Sequence, residues 1–306
     1  MPSSPTFSPT WGSKMPSTVW PQQLIQTAAR KSLVLFVGSG VSASCKNSIN
    51  EAPPTWNALL ERLAQAIDLD SIDKKKYTIF RRLLRSHQLL DAAELLKYSA
   101  NERGRTNDLA TALKAAVQGP HGDPFLPSDW HESIGDIDPS VIITTNYDKI
   151  LENANGFTYT TSSYTSEDID SQIRNNEPTI IKLHGSIDEP SRTILTRSDY
   201  ARLHRYGSTA LDVVRALMWT RTFLFVGYSL SDPDLQALLQ DVFAARWSHN
   251  VSPHYILASD VTSDHDKEIF RHCYGISAIT YDRKLGDYGL TAFQDFGKQV
   301  SETPPY

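Results

Sequence analysis

The sequence predicts an α/β fold, a mostly parallel sheet with helices on both faces and an inserted helical subdomain. Two observations carry this prediction. Apolar runs at Leu33–Val37, Ser140–Thr144, Thr179–Leu183 and Thr222–Val226 have the length and β-branched content of buried strands, and each leads into a turn of polar residues or glycine. Helical periodicity separates the later runs, and it is the only periodicity between the first run and the second, over residues 55–118.

Composition bounds the rest. A chain of 306 residues with 40% hydrophobic and 21% charged residues is ordinary for a soluble domain with a smaller one beside it. A net charge of −5 argues against a large nucleic-acid footprint, and the basic runs Lys74–Lys76 and Arg81-Arg82 read as a solvated helix face. Two cysteines, Cys45 and Cys273, are too few for a disulfide framework or a four-cysteine zinc site, which suits a reducing, cytoplasmic setting. No apolar run reaches the roughly 20 residues of a membrane span. Residues 1–19, rich in Pro, Ser and Thr, read as a flexible arm and not as a secretion signal.

In chain order, Trp20-Pro21 opens a short helix with Leu24, Ile25 and Ala28 on one face. Residues 43–54 follow the first strand as a polar connection ending in Pro53-Pro54, either a surface loop or a mobile cover over a ligand. Thr55 is placed to cap a helix carrying Trp56, Leu59, Leu60, Leu63 and Ile67. Helical patterns then run through Ile79–Leu84, Leu89–Tyr98 (with Asp91 and Glu94 at capping-box spacing) and Leu109–Val117. After a Gly/Pro/Asp break at 119–127 comes the second strand, then a helix from Ile150 and a short strand at Phe157–Thr160. Helices are expected at Arg197–His204, Thr209–Trp219, from Asp232-Pro233, near Asp266–His272 and near Tyr288–Val300, with strands at His254–Ala258 and Ser277–Tyr281. This divides the chain into the arm 1–19, a sheet domain of 20–54 with 136–306, and a helical subdomain of 55–135.

The four strand ends hold the residues with chemistry. Gly38-Ser39-Gly40 forms a turn that lets a ligand approach the backbone, the usual way an α/β sheet offers N–H groups to a phosphate. Thr145-Asn146-Tyr147-Asp148 and His184-Gly185-Ser186 put polar side chains at the same sheet edge, although Asn146 and Asp148 also suit plain helix capping. His184 stands out among nine histidines because it directly follows a core strand. Asp232 has the position of a helix cap. No Gly-x-Ser-x-Gly elbow is present to support a serine hydrolase.

Taken in order, Gly38-Ser-Gly-Val-Ser42, Thr144-Thr-Asn-Tyr-Asp148, Lys182-Leu-His-Gly-Ser186 and Val226-Gly-Tyr-Ser-Leu-Ser-Asp-Pro-Asp234 resemble the sirtuin-like domain of the silent-information-regulator superfamily, in its bacterial branch of NAD-consuming anti-phage effectors. The resemblance covers roughly residues 24–283. It implies a Rossmann-like NAD-binding sheet that breaks the bond between nicotinamide and ribose. By motif, Gly38, Ser39, Gly40 and Ser42 would hold the diphosphate, and Gly227, Tyr228 and Ser229 the adenosine end. Asn146 would position a water or ribose hydroxyl, His184 would be the catalytic base and Asp148 the supporting acid. Such residue types suit the reaction: an amide donates and accepts at once, and imidazole takes a proton at cellular pH.

Three departures argue against a protein deacylase. The four zinc cysteines are missing, Thr145 stands where deacylases carry glutamine before the asparagine, and no Pro-Asp-Phe-Arg loop follows Gly40. Thr145 is still expected beside the cofactor. The expected activity is therefore NAD glycohydrolysis to nicotinamide and ADP-ribose, depleting NAD as an antiviral effector, with NAD as substrate and no metal. No sensor domain is expected after the last helix, so control is expected from homo-oligomer assembly or from a HerA-type ring ATPase acting in trans, with no membrane and no direct nucleic-acid contact. The alternatives are a non-catalytic NAD- or nucleotide-binding assembly module and, less favoured, an NAD-dependent deacylase.

Overall fold

The structure is a computed structural model and describes residues 18–154, 158–206, 208–246, 254–283 and 289–305. Seven parallel strands form one sheet: β1 (Leu33–Val37), β2 (Val141–Thr144), β3 (Thr160–Ser163), β4 (Thr179–Lys182), β5 (Thr222–Val226), β6 (His254–Ser259) and β7 (Ile276–Tyr281), in the order β3-β4-β2-β1-β5-β6-β7. Central β1 pairs with β2 on one side (Val34 opposite Val141) and with β5 on the other (Leu33 opposite Thr222). The chain leaves β1 towards β2 and returns through β5, so the order reverses at the C-terminal end of β1, where open α/β sheets bind ligands.

Every residue of β1 is fully buried, because alternate side chains enter two different cores. Val34 and Phe36 join Ile143, Ile181, Phe223 and Phe225 on one face. That face is covered by α12 (Ser208–Thr220), α13 (Pro233–Arg246) and α14 (Asp264–Tyr274), among others. Leu33, Leu35 and Val37 join Ile142 and Leu224 on the other. There α1 (Gln22–Ala29), α8 (Asp129–Ile137) and α15 (Leu290–Ser301) supply Leu24, Trp130, Phe293 and Phe296. The Trp20 ring lies 4.5 Å from Phe296, and its Nε1 donates to Ala292 O at 3.1 Å, pinning the entry of α1 to α15.

Between β1 and β2 lie α2 (Ser39–Ser42) and the helical block α3 (Trp56–Ala66), α4 (Leu69–Ile72), α5 (Lys74–Arg85), α6 (Leu89–Glu102) and α7 (Thr106–Gln118). The block has its own core of Leu60, Leu63, Phe80, Leu96 and Leu113, which also takes in Tyr147, Ile187 and Leu195 from the turns of the sheet. Thr55 caps α3 as its type predicts, accepting from Ala58 N. The helix α8 begins before residue 136 yet packs on the sheet, since its Trp130, Ile134 and Ile137 face α15. Three further short helices complete the order: α9 (Ile150–Asn153), α10 (Ile169–Arg174) and α11 (Arg197–Tyr206).

Two sequence expectations are corrected and an open one is narrowed. The strand expected at Phe157–Thr160 is β3 at Thr160–Ser163, set by its pairing with Thr179–Lys182; Phe157 itself lies outside the described residues, as do 1–17 of the arm. Asp91 and Glu94 do not cap α6, because both fall within it. They dock α11 instead: Asp91 pairs with Arg197, and Glu94 accepts from Ser198 N and Ser198 Oγ at 2.9 Å each. Of the two readings of residues 43–54, the contacts favour the surface loop over the cover. Cys45 and Asn47 are buried, Lys46 bridges to Leu126, and Ser48 N donates to Asp123 at 2.9 Å.

Candidate active site at the carboxyl edge of the sheet

The turns after β1 and β5 touch. Gly38 N donates to Val226 O at 2.9 Å and Gly40 N to Gly227 O at 2.8 Å. A Cβ on Gly38 would stand 2.4 Å from Gly227 O, and one on Gly227 would stand 2.6 Å from Val41 N. The bareness of these glycines is thus consumed by chain-to-chain packing, and two of the N–H groups expected to face a phosphate serve the protein itself. Gly227 also has φ 60°, which favours glycine. Three residues on, the buried Leu230 holds φ 53°, an uncommon state for a leucine, which marks this turn as strained.

The turn after β2 carries a buried polar network. Thr144 Oγ1 donates to Val37 O at 2.7 Å and accepts from Asn146 N at 3.0 Å, tying this turn to the end of β1. Asn146 Nδ2 donates to Ser42 Oγ at 3.0 Å, and Ser42 Oγ donates to Asp148 Oδ2 at 2.9 Å. Asp148 Oδ1 accepts from Ile150 N at 3.0 Å. Asp148 therefore accepts from the first N–H of α9, whose N-cap position is Lys149, while its other oxygen fixes Ser42 and, through it, the Asn146 amide.

Beneath the turn lies Lys182, a lysine in a central strand with no exposed surface. Its ammonium donates to Asp148 O and more weakly to Tyr147 O at 3.4 Å, and pairs with Glu152 at 2.7 Å. A buried cation held by two main-chain carbonyls and one carboxylate fixes the path of residues 147–148.

The turn after β4 presents His184. Its Nε2 lies 3.1 Å from Asp232 Oδ2, with both side chains buried. Tyr200 Oη donates to the same oxygen at 2.7 Å, and Asp232 Oδ1 accepts from Leu235 N at 2.9 Å. The Tyr147 ring stacks at 6.5 Å from the imidazole and the Tyr200 ring meets it edge-on at 5.3 Å. Burial pushes the Asp232 carboxyl up, but the His184 imidazole beside it and the hydrogen bonds from Leu235 N and Tyr200 outweigh it and hold the group below the usual carboxylate range.

Between the β1 turn and the ends of β5, β6 and β7 opens a cleft of about 1240 Å³. Of the residues singled out by sequence, Ser39, Gly40, Gly227, Tyr228 and Ser229 line it, whereas Gly38, Ser42, Thr145, Asn146, Asp148 and His184 do not. The structure therefore separates two groups along one edge: an open cleft, and the Asn146 and His184 networks packed beside it. Apolar walls come from Ile269, Phe270, Tyr274 and Tyr281, and hydroxyls from Ser39, Ser44, Ser229 and Ser259. Lys46 adds a cation. The Tyr228 ring lines the wall, while its hydroxyl is buried beside Asp232 and Thr145. Cys45 lies behind the site, 3.9 Å from His131 Nδ1. Burial, helped by the Asp148 charge, pushes its thiol up to about 11, so it is a packing residue and no nucleophile at neutral pH.

Four contributors escape the sequence reading: Lys182, Tyr200, Lys46 and the pairing role of Asp232. Asp232-Pro233 carries a signal, but helix capping accounts for it, and Asp232 does cap α13 while also holding His184. Lys182 is visible as a charge inside an apolar strand. Tyr200 and Lys46 give no local signal, because each is brought in by the fold. Among the described residues no group of three or more His, Cys, Asp or Glu is arranged to hold a metal ion, and no helix is long and apolar enough to cross a membrane.

Residues 140–279 match the SIR2-like domain family, a span running from β2 into β7. Over 265 residues the chain is 28% identical to the NAD(+) hydrolase ThsA of Enterococcus faecium, an alignment covering 84% of this chain and 48% of that protein. It is 24% identical to the NAD(+) hydrolase ThsA of Acinetobacter baumannii (strain 532279), covering 80% and 47%, and 21% identical to Defense-associated sirtuin 2 of Bacillus subtilis, covering 84% and 24%. The chain spans about half the length, or less, of these curated relatives. The match takes in the strand ends at 144–148, 182–186 and 226–234; the one at 38–42 precedes it.

Proposed function

We propose that this sirtuin-like chain is an NAD glycohydrolase, cleaving NAD with water to nicotinamide and ADP-ribose. The observation that carries the reading is the placement of the Asn146–Ser42–Asp148 and His184–Asp232 networks beside a large cleft at the reversal point of the sheet. The cleft fits a dinucleotide in chemistry: an apolar, aromatic lobe for adenine, and hydroxyls with Lys46 for the diphosphate.

In this reading Gly227, Tyr228 and Ser229 line the adenosine end, and Ser39 and Gly40 lie along the diphosphate. The nicotinamide end reaches past the β1 turn to Asn146 and His184, with Thr145 beside it. Gly38 and Ser42 act from behind, one by letting the β1 and β5 turns close together, the other by orienting Asn146. Cleavage moves the positive charge of the pyridinium onto the ribose as the carbon–nitrogen bond breaks, and nicotinamide leaves as a neutral molecule. The Asp148 carboxylate supports that charge, and the Asn146 amide orients the ribose or the attacking water. Water bonds to the ribose carbon, and His184 takes its proton. The sheet parts of residues 20–54 and 136–306, with α8 counted to the sheet, supply this chemistry. The remaining helices of the 55–135 block rest on its turns through Tyr147, Ile187 and Leu195.

The relatives' names, NAD(+) hydrolase and defence-associated sirtuin, support placing the activity in antiviral NAD depletion. Uncontrolled NAD hydrolysis harms the host cell, so the activity is held back until homo-oligomer assembly or a partner such as a HerA-type ring ATPase releases it.

The test is NAD turnover by purified protein, alone, after assembly and with a candidate ATPase, with nicotinamide and ADP-ribose quantified. The expected result is equimolar products that disappear in His184→Ala and Asn146→Ala. If no condition yields nicotinamide from the wild type while NAD still binds, the chain is a nucleotide-binding module.

A further inference from the structure

We infer that Asp232 is a positioning residue that holds His184 in the tautomer protonated on Nε2 and leaves Nδ1 as the base. The inference of a base rests on the proposed NAD hydrolysis; the tautomer does not.

Both oxygens of Asp232 accept. Oδ1 takes the Leu235 N–H at 2.9 Å, and Oδ2 takes the Tyr200 hydroxyl at 2.7 Å. An ionised carboxylate has no hydrogen to give and repels a nitrogen lone pair, so the 3.1 Å approach of Oδ2 to His184 Nε2 favours the proton on Nε2. In neutral imidazole the lone pair is then on Nδ1, to which no described residue hydrogen-bonds. The ring is held by more than this contact: Tyr147 stacks on it and Tyr200 closes its edge. The constellation is a buried carboxylate orienting a histidine, built from the ends of β4 and β5 and a tyrosine of α11, with the helix cap of α13 serving as the carboxylate's anchor.

Replacing the carboxylate by an amide makes a sharp test, because Asp232→Asn has only one acceptor. Asparagine is as good a helix cap as aspartate, so its oxygen stays on the Leu235 N–H and the fold is kept. Its NH₂ then faces Tyr200 and His184 and donates to Nε2, which moves the imidazole proton to Nδ1. The expected result is a change in the imidazole ¹⁵N signals of His184, assigned by their loss in His184→Ala, from the Nε2–H pattern in the wild type to the Nδ1–H pattern in Asp232→Asn. With it, NAD turnover falls about 10²–10⁴-fold while the Michaelis constant for NAD stays within about twofold. The inference is overturned if wild-type His184 shows the Nδ1–H pattern, if the two proteins show the same pattern, or if Asp232→Asn turns NAD over within threefold of wild type. Should the wild type release no nicotinamide alone, after assembly or with the candidate ATPase, the hydrolase reading fails and the ¹⁵N pattern alone decides the role of Asp232.

Discussion

Two stretches of the same sheet edge obey opposite rules. At the ends of β2 and β4 the polar side chains are buried and joined to one another: Asn146 to Ser42, Ser42 to Asp148, Lys182 to Glu152, His184 to Asp232 and Asp232 to Tyr200. At the ends of β5, β6 and β7 the wall of the cleft is mostly apolar or carries hydroxyls, with Gln236 and Asp266 as further polar groups. The first arrangement fixes atoms at set positions, as bond breaking requires; the second offers open area with scattered polar groups, as binding requires. In the proposed function chemistry and affinity fall on different strands, and substitutions on the two sides should separate turnover from binding.

The largest expected effect is on the chemical side. His184→Ala removes the proposed base and should lower NAD turnover about 10²–10⁴-fold, with the NAD dissociation constant by calorimetry changed less than about threefold, because the residue does not line the cleft. A parallel loss of affinity would mean that the two stretches are one site.

Next in size is the support under the turn. Lys182→Met leaves the Glu152 carboxylate without its ion-pair partner and frees the carbonyls of residues 147 and 148, which should cost about 3–5 kcal/mol of stability in a denaturant titration. Since the pair gains little over a well-packed apolar replacement, adding Glu152→Gln should recover a good part of that loss. A single variant as stable as the wild type would show that the lysine is a passenger.

Smaller still is the effect of crowding the seam between the two stretches. Gly38→Ala places a carbon 2.4 Å from Gly227 O and should cost about 1–3 kcal/mol, as overpacking generally does. Both turnover and affinity should then suffer, because the β1 and β5 turns meet there.

The two stretches also differ in how far the sequence revealed them. The strands of both were legible, since runs such as Thr222–Val226 are too apolar and too short to be anything but buried strands, and the ends of those runs pointed to Asn146, Asp148, His184 and Tyr228. What stayed hidden were partnerships across the chain. Capping fully explains Asp232-Pro233, so nothing in the sequence hints that the second oxygen of Asp232 meets a histidine 48 positions earlier. Asp91 and Glu94 had capping-box spacing, yet their use was set by Arg197 and Ser198 on a distant helix. Lys46 sits in a polar connection that reads as surface, and only the bridge to Leu126 turns it into part of the cleft. Periodicity reports what a segment buries, and it carries no information about which segment lies opposite.

The least effect is expected from that lysine, and it probes the binding side most cleanly. Lys46 lines the cleft on a segment tied down at both ends: Cys45 is buried and Ser48 N is held by Asp123. Its side chain is exposed, so its attraction for a diphosphate is screened by water and salt and amounts to about 1 kcal/mol, or roughly fivefold in the Michaelis constant. Lys46→Ala should therefore raise that constant by about fivefold in dilute buffer, with the ratio to wild type shrinking as salt is added and the turnover number unchanged. Such a split, opposite to that of His184→Ala, is what separate placement of binding and chemistry demands. A fall in turnover without a change in the Michaelis constant would put Lys46 on the chemical side and join the two stretches into one.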